Sequence, residues 1–293
     1  MARKNLVDGS LAYKERKFEV AEDLFRRAAA RDPEGATEEG RTAQVFLART
    51  LHSRYIGDRK RTELAEQAMA EYKKALALNK DDQSSYKAVA SLYENLQKPD
   101  EWKTWVTERA NMAGIKPEYR AEALTALAAK QNTCANEVSD TPETKKTVQK
   151  DGKDVYQFVK PANEADFQRM KACVDEGLGL IEQAVALEPE VVKTAGSLNP
   201  KAMSDAELKS NLDLLKSFES ARSYRASLLI QKSRVAEMEG NEAGRETLKG
   251  QADEAKAAFT SLAGAVKALQ DEIDARKAAA EEAENANANK ASK

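Results

Sequence analysis

At 293 residues the chain can bury a large core, as one elongated repeat domain or as two globular ones. Lys and Arg number 47 and Asp and Glu 49, a balance that gives no electrostatic case for a nucleic acid or an anionic membrane as partner. No apolar run reaches the roughly 18 residues of a membrane-spanning helix.

Ala, Glu, Lys and Leu dominate while Gly and Pro sit at breaks, so the chain reads as all-α. The first predicted helix carries Leu6, Gly9, Ser10 and Tyr13 on one face. A short turn at Arg16 and Lys17 leads to a second helix, about Glu19 to Arg31, closed by Pro33 and Gly35. The third, about Glu38 to Tyr55, has Leu47, Ala48, Leu51 and Tyr55 as its apolar stripe. Ile56 to Thr62 is charged and reads as an exposed loop before a helix over Glu63 to Leu78. The next pair begins at Asp82, with Tyr86, Val89, Ala90 and Tyr93 in register. Its partner starts at Pro99, where a missing N–H costs nothing, and Trp102 with Trp105 should build a bulkier local core.

A helix opening at Pro117 is expected to end near Gln131. Asp151-Gly152 then lies between two β-branched or aromatic runs, which predicts a hairpin of Lys145 to Gln149 with Lys153 to Lys160, closed by Pro161. Helix resumes from Glu164 to Leu187. Glu190 to Ser217 carries a weaker signal, but Ser204 and Glu207 have capping-box spacing, so a helix starts at Asp205. Two more follow, about Phe218 to Glu239 and Glu242 to Glu284, parted by Gly240-Asn241. The last has a narrow seam of Phe259, Leu262, Val266 and Leu269, and residues 283–293 read as a disordered tail.

Three of these helices share a frame: Ala21, Phe25, Ala28 and Pro33; Ala68, Tyr72 and Ala75 before a polar break; Gly177, Ile181, Ala184 and Pro189. Small residues one turn either side of a large one let a neighbouring helix approach closely, and a frame met three times is an internal repeat. On these residues the chain resembles the tetratricopeptide repeat (TPR) superfamily. The resemblance implies a TPR-like α-solenoid of about four to five helix pairs over residues 1–282. The repeats would lie near 3–35, 38–80, 82–115, 117–189 with the hairpin 144–161 inserted, and 218–282. It also implies a concave face, lined by the first helix of each pair, that binds an extended peptide or a partner helix. By the family frame the groove positions are Lys4, Leu11 and Lys14, then Val45, Arg49 and His52, then Lys87, Ser91, Glu94 and Asn95. Arg49, His52 and Lys87 form a mildly basic cluster suited to an acidic side chain or a C-terminal carboxylate; the bland alternative is solvated helix surface. The Lys and Asn clamp of chaperone-binding TPR domains is not reproduced in full, which disfavours chaperone docking.

No motif carries chemistry. His52 is the only histidine and sits mid-helix, and no GxGxxG, P-loop or HExxH sequence occurs. No catalytic residue, cofactor or metal is expected, and the chain reads as a non-enzyme. The two cysteines lack CxxC spacing. Cys134 is expected just past one helix end and Cys173 two to three turns into the antiparallel partner. Such a pair can bring the sulfurs together at the base of the insertion, where a bridge would be worth roughly 3 kcal/mol. Two independent buried thiols are the alternative.

The order ARKNL, AEQAMAEYKKALALNKDD, a Cys before a lysine-rich hairpin, IEQAVALEP and AEMEGN is similar to a group of exported bacterial TPR proteins, over about residues 2 to 260. That resemblance implies a bonded Cys pair and a periplasmic or cell-envelope location, in a mature form lacking its signal peptide; a cytoplasmic protein is the alternative. The chain departs from the group in its missing leader and in extra residues around Val191 to Ser217. Two functions follow: an adaptor that binds a protein partner in the groove, or a peripheral subunit of an envelope assembly docked through the hairpin and the last helix. Neither involves nucleic acid or insertion into a membrane.

Overall fold

The computed structural model describes the backbone of residues 2–291 and the side chains through residue 284. The described chain is helical apart from one two-stranded hairpin. The repeat frame treats residues 1–282 as one domain, whereas the packing divides the chain into Met1–Glu108 with Ala113–Lys116, and Arg109–Met112 with Pro117–Lys293.

The first unit holds α1 (Ala2–Lys14), α2 (Phe18–Ala29), α3 (Glu38–Gly57), α4 (Thr62–Leu78), α5 (Gln83–Asn95) and most of α6 (Pro99–Asn111). From α1 to α5 each helix packs on the next, and α1 also meets α3, which is the stacking order of TPR helix pairs. The small–large–small frame explains the closeness. Ala21, Phe25 and Ala28 are buried, as are Ala68, Tyr72 and Ala75. A Cβ on Gly9 would stand 2.8 Å from the Phe25 ring, so only glycine lets α1 close on α2 here. Phe25 in turn stacks on Phe46 at 5.3 Å, and Tyr13 meets Phe46 edge-on at 6.1 Å.

The tight turns within helix pairs share one geometry. Arg16 (φ 60) ends α1 and the Lys17 N–H donates back to Ala12 O at 2.9 Å. Gln97 (φ 55) ends α5 and the Lys98 N–H reaches Tyr93 O at 2.9 Å. Both satisfy carbonyls that a helix end leaves open, with a left-handed residue as the hinge. The third pair is parted instead by residues 58–61, which are exposed.

The second unit is built on α7 (Pro117–Ser139), α8 (Glu164–Ala186), α10 (Asp205–Met238) and α11 (Glu242–Ala291), with the one-turn α9 (Glu190–Lys193) and two short 3₁₀ turns before α10. α7, α8 and α10 pack mutually, and α11 lies along α10. α7 runs on to Ser139 rather than stopping near Gln131, because Ala135, Val138 and Ser139 are buried there. The Thr144 hydroxyl then donates to Val138 O at 2.8 Å and closes the end. Cys134 therefore lies inside the helix, not past it.

β1 (Lys145–Lys150) pairs with β2 (Lys153–Phe158) around Asp151 and Gly152, both at positive φ, as a two-residue hairpin requires. Its base is anchored: Phe158 packs with Phe167 and Met170, lies under the Arg234 guanidinium at 4.4 Å, and its N–H donates to Glu237 at 3.2 Å. Ser204 and Glu207 make the expected capping box, but the helix they start is continuous to Met238, since Leu208, Leu212, Leu215 and Phe218 form one buried stripe across the expected break. The α11 seam is spent on α10: Leu262, Val266 and Leu269 are buried and Phe259 is half-buried. The tail expected over 283–293 has helical backbone to Ala291, with no Gly or Pro after Gly264 to stop it, and residues 292 and 293 lie outside the described set.

Candidate protein-binding face

The groove positions all fall in the first unit, on α1, α3 and α5. Lys4, Leu11 and Lys14 are exposed on α1, and Val45 is half-buried on α3. Lys87, Ser91, Glu94 and Asn95 are exposed on α5. Arg49 on α3 and Asn95 on α5 each have polar partners, Ser84 for the first and Ser91 and Arg59 for the second. Arg49 Nη2 donates to Ser84 Oγ at 2.9 Å, and its guanidinium lies 5.4 Å over the Phe46 ring. Asn95 donates to Ser91 Oγ at 3.4 Å and accepts from Arg59 Nη1 at 2.7 Å. No hydrogen bond or ion pair joins Lys4, Leu11 or Lys14 to that group among the described residues. Instead Lys14 lines a separate open cleft of about 720 Å³ with Tyr13, Arg16, Phe18 and Ile56. Arg54 in that cleft is already neutralised by Glu22 and by Glu19 at 3.3 Å.

His52 lies on α3 within the electrostatic reach of Arg59. Its Nδ1 is 3.4 Å from the Tyr72 hydroxyl and its ring meets Tyr72 edge-on at 6.0 Å. Burial, aided by the positive charge of Arg59, holds its pKa below the ordinary histidine value. Burial also pushes the Tyr72 phenol up, so that group stays protonated. That direction favours the neutral imidazole, so His52 adds a hydrogen-bonding group beside the arginines. The charge comes instead from Arg59, which sequence reasoning placed in an exposed loop. The guanidinium folds back 5.9 Å over the Tyr55 ring and onto α5. Neither Arg49 nor Arg59 has a carboxylate partner among the described residues, so two positive charges stand on this face held only by a hydroxyl, an amide and two rings.

In the second unit Cys134 and Cys173 are bonded, with Cα atoms 6.1 Å apart, tying α7 to α8. Among the described residues no group of three or more His, Cys, Asp or Glu side chains is placed to hold a metal ion, and no helix is long and apolar enough to cross a membrane.

The chain is an all-α protein whose first unit stacks successive helices as a solenoid does, with an inserted hairpin and a long C-terminal helix in the second. No protein-family model and no curated protein matches it. Among solved structures it is similar to a tetratricopeptide repeat protein from Parabacteroides merdae, with a TM-score of 0.34 and 12% identity over 91% of this chain and 98% of that one.

Proposed function

We propose that the chain is a non-catalytic interaction scaffold whose α3–α5 face takes an extended segment of a partner protein through an acidic side chain or a C-terminal carboxylate. The observation that carries this is the pair Arg49 and Arg59, oriented by Ser84 and Asn95 but not neutralised. An anion arriving there gains charge-assisted hydrogen bonds from donors already in place. Proteins captured from the native organism by the wild type and lost with Arg49→Glu plus Arg59→Glu would be the partners. Capture of the same set by both would remove the reading.

The Cys134–Cys173 bridge supports an oxidising compartment such as the periplasm, in keeping with the resemblance to exported TPR proteins. Maleimide labelling of both thiols in unreduced, denatured protein from the native organism would contradict it. A second reading, a peripheral subunit of an envelope assembly, is favoured by the hairpin alone: each strand has one edge unpaired in the sheet, and Tyr156 on β2 is 61% exposed. The buried α11 seam gives it no support. A monodisperse monomer in size-exclusion with light scattering favours the adaptor, and insolubility without a co-expressed partner favours the subunit.

A further inference from the structure

Between the second helices α4 and α6 the first unit has a pocket of about 400 Å³, lined by Lys73, Tyr93, Asp100, Glu101, Trp105 and Glu108. It shares no residue with the face around Arg49 and Arg59. Lys73 Nζ lies 5.3 Å from the centroid of the Tyr93 ring and 5.3 Å from that of Trp105, and donates to the Tyr93 hydroxyl at 2.8 Å. The two rings are 6.5 Å apart and inclined at 61°, so they form two walls around an ammonium. Trp105 is fixed in place: its indole N–H donates to Tyr86 O at 3.2 Å, and its ring stacks on Tyr86 at 5.8 Å. A cation over such faces is held by the ring quadrupole.

The rim of the pocket is acidic. Asp100, Glu101, Trp105 and Glu108 share one face of α6. None of the three carboxylates makes an ion pair among the described residues. Asp100 and Glu101 also complement the α6 N-terminus, but Glu108 lies two turns beyond that effect. One ammonium against three carboxylates leaves two negative charges unmatched around a preorganised aromatic cage.

We propose that this pocket docks a basic segment of a partner protein, an arginine side chain lying between Trp105 and the carboxylates of Asp100, Glu101 and Glu108. Guanidinium suits the site better than ammonium, because it stacks on a ring and meets carboxylates through two N–H groups at once. Lys73 is exposed on a flexible stem, so it swings into solvent as the arginine enters and acts as an internal competitor. The site stands apart from the anion-binding face: its charge is opposite and its residues are different.

The test is titration of the full chain with a fluorescein-labelled tetra-arginine peptide, followed by anisotropy and by the Trp105 indole N–H signal in NMR. The peptide should bind and move the Trp105 signal. Asp100→Asn with Glu101→Gln and Glu108→Gln should weaken binding by about tenfold or more. Removing the same charge from α11, by Glu281→Gln, Glu282→Gln and Glu284→Gln, should leave it unchanged. Lys73→Ala should tighten it about threefold, by removing the competing cation. Arg49→Glu with Arg59→Glu should still bind. An unmoved Trp105 signal, or equal weakening by the α11 variant, would show only general attraction to an acidic chain and would overturn the proposal.

Discussion

Arg222 and Arg234 of the second unit are used in the opposite way to Arg49 and Arg59 of the first. In the second, Arg222 grips Glu188 through two nitrogens, each 2.8 Å from a carboxylate oxygen, and donates to Ala258 O at 3.1 Å. Arg234 donates to Ser139 Oγ at 3.1 Å, beside a hydrogen bond from Ser139 to Gln231 at 2.9 Å. These charges are committed to holding helices together. In the first, Arg54 likewise ties α3 to α2 through Glu22 and Glu19, but Arg49 and Arg59 meet only a hydroxyl, an amide and two aromatic rings. That unit is held mainly by rings and close-packed small residues, and the charges of Arg49 and Arg59 stay unmatched by a carboxylate among the described residues. The second adds a disulfide and a polar network, and becomes a braced support. A buried charge must be matched where it sits, whereas a surface charge can wait for a partner at little cost.

The contrast can be broken by experiment, because both tryptophans, Trp102 and Trp105, belong to the first unit. Tryptophan fluorescence therefore follows that unit, while far-ultraviolet circular dichroism follows all helices. The largest effect is expected from Phe25→Ala. It empties a fully buried site against Gly9 and Phe46, and should cost about 3–5 kcal/mol in urea melts read by fluorescence. Next comes loss of the disulfide. Cys134→Ser with Cys173→Ser opens a loop with a sequence separation of 39 and should cost roughly 3–4 kcal/mol. The dichroism transition should move and the fluorescence transition stay. If both move together, the units unfold as one and the contrast is void.

A smaller effect separates the turns. Gly240 (φ 72) ends α10 with Asn241 N–H on Ala236 O at 2.8 Å, the same geometry that Gln97 adopts without glycine's freedom. Gln97→Gly should stabilise the first unit by about 0.5–1 kcal/mol and Gly240→Ala should destabilise the second by about 1 kcal/mol, each read as a shift in the urea midpoint. Equal signs for the two would refute the shared turn.

The smallest effect concerns pH. The folded pKa of His52 lies below its ordinary value of 6.5, so above that value the imidazole is neutral in both states. As pH falls, the unfolded chain takes the proton first. The stability tied to neutral His52 is complete above the unfolded pKa and is lost as pH falls through the folded one. His52→Asn should flatten the acid limb of the fluorescence-detected stability curve. NMR titration of the sole imidazole giving a pKa above 6.5 would contradict the burial account.

Much of this architecture was legible residue by residue. The Ala21–Phe25–Ala28 frame marked a helix pair because helix spacing is set by side-chain size. Asp151-Gly152 marked a hairpin because few residues accept two successive positive φ angles. Ser204 and Glu207 marked a helix start because the cap is local. Long-range burial was not legible in the same way. The end of α7 depends on what covers Ala135 and Val138, and the continuity of α10 on Phe218 meeting its neighbours. At the proposed binding face, the frame implied by the TPR resemblance pointed to Arg49 and the α5 residues. It could not foresee that Arg59 returns from the loop or that burial holds His52 neutral, since both depend on neighbours distant in sequence.

The central claim is that the α3–α5 face recognises an anion through Arg49 and Arg59. Selection of a peptide-display library with free C-termini, on the intact protein and on Arg49→Glu with Arg59→Glu, tests it most directly. The account predicts that the wild type enriches peptides with acidic residues or an accessible C-terminal carboxylate, and that the variant loses them while keeping any arginine-rich binders. Enrichment of the same acidic peptides by both proteins would contradict it.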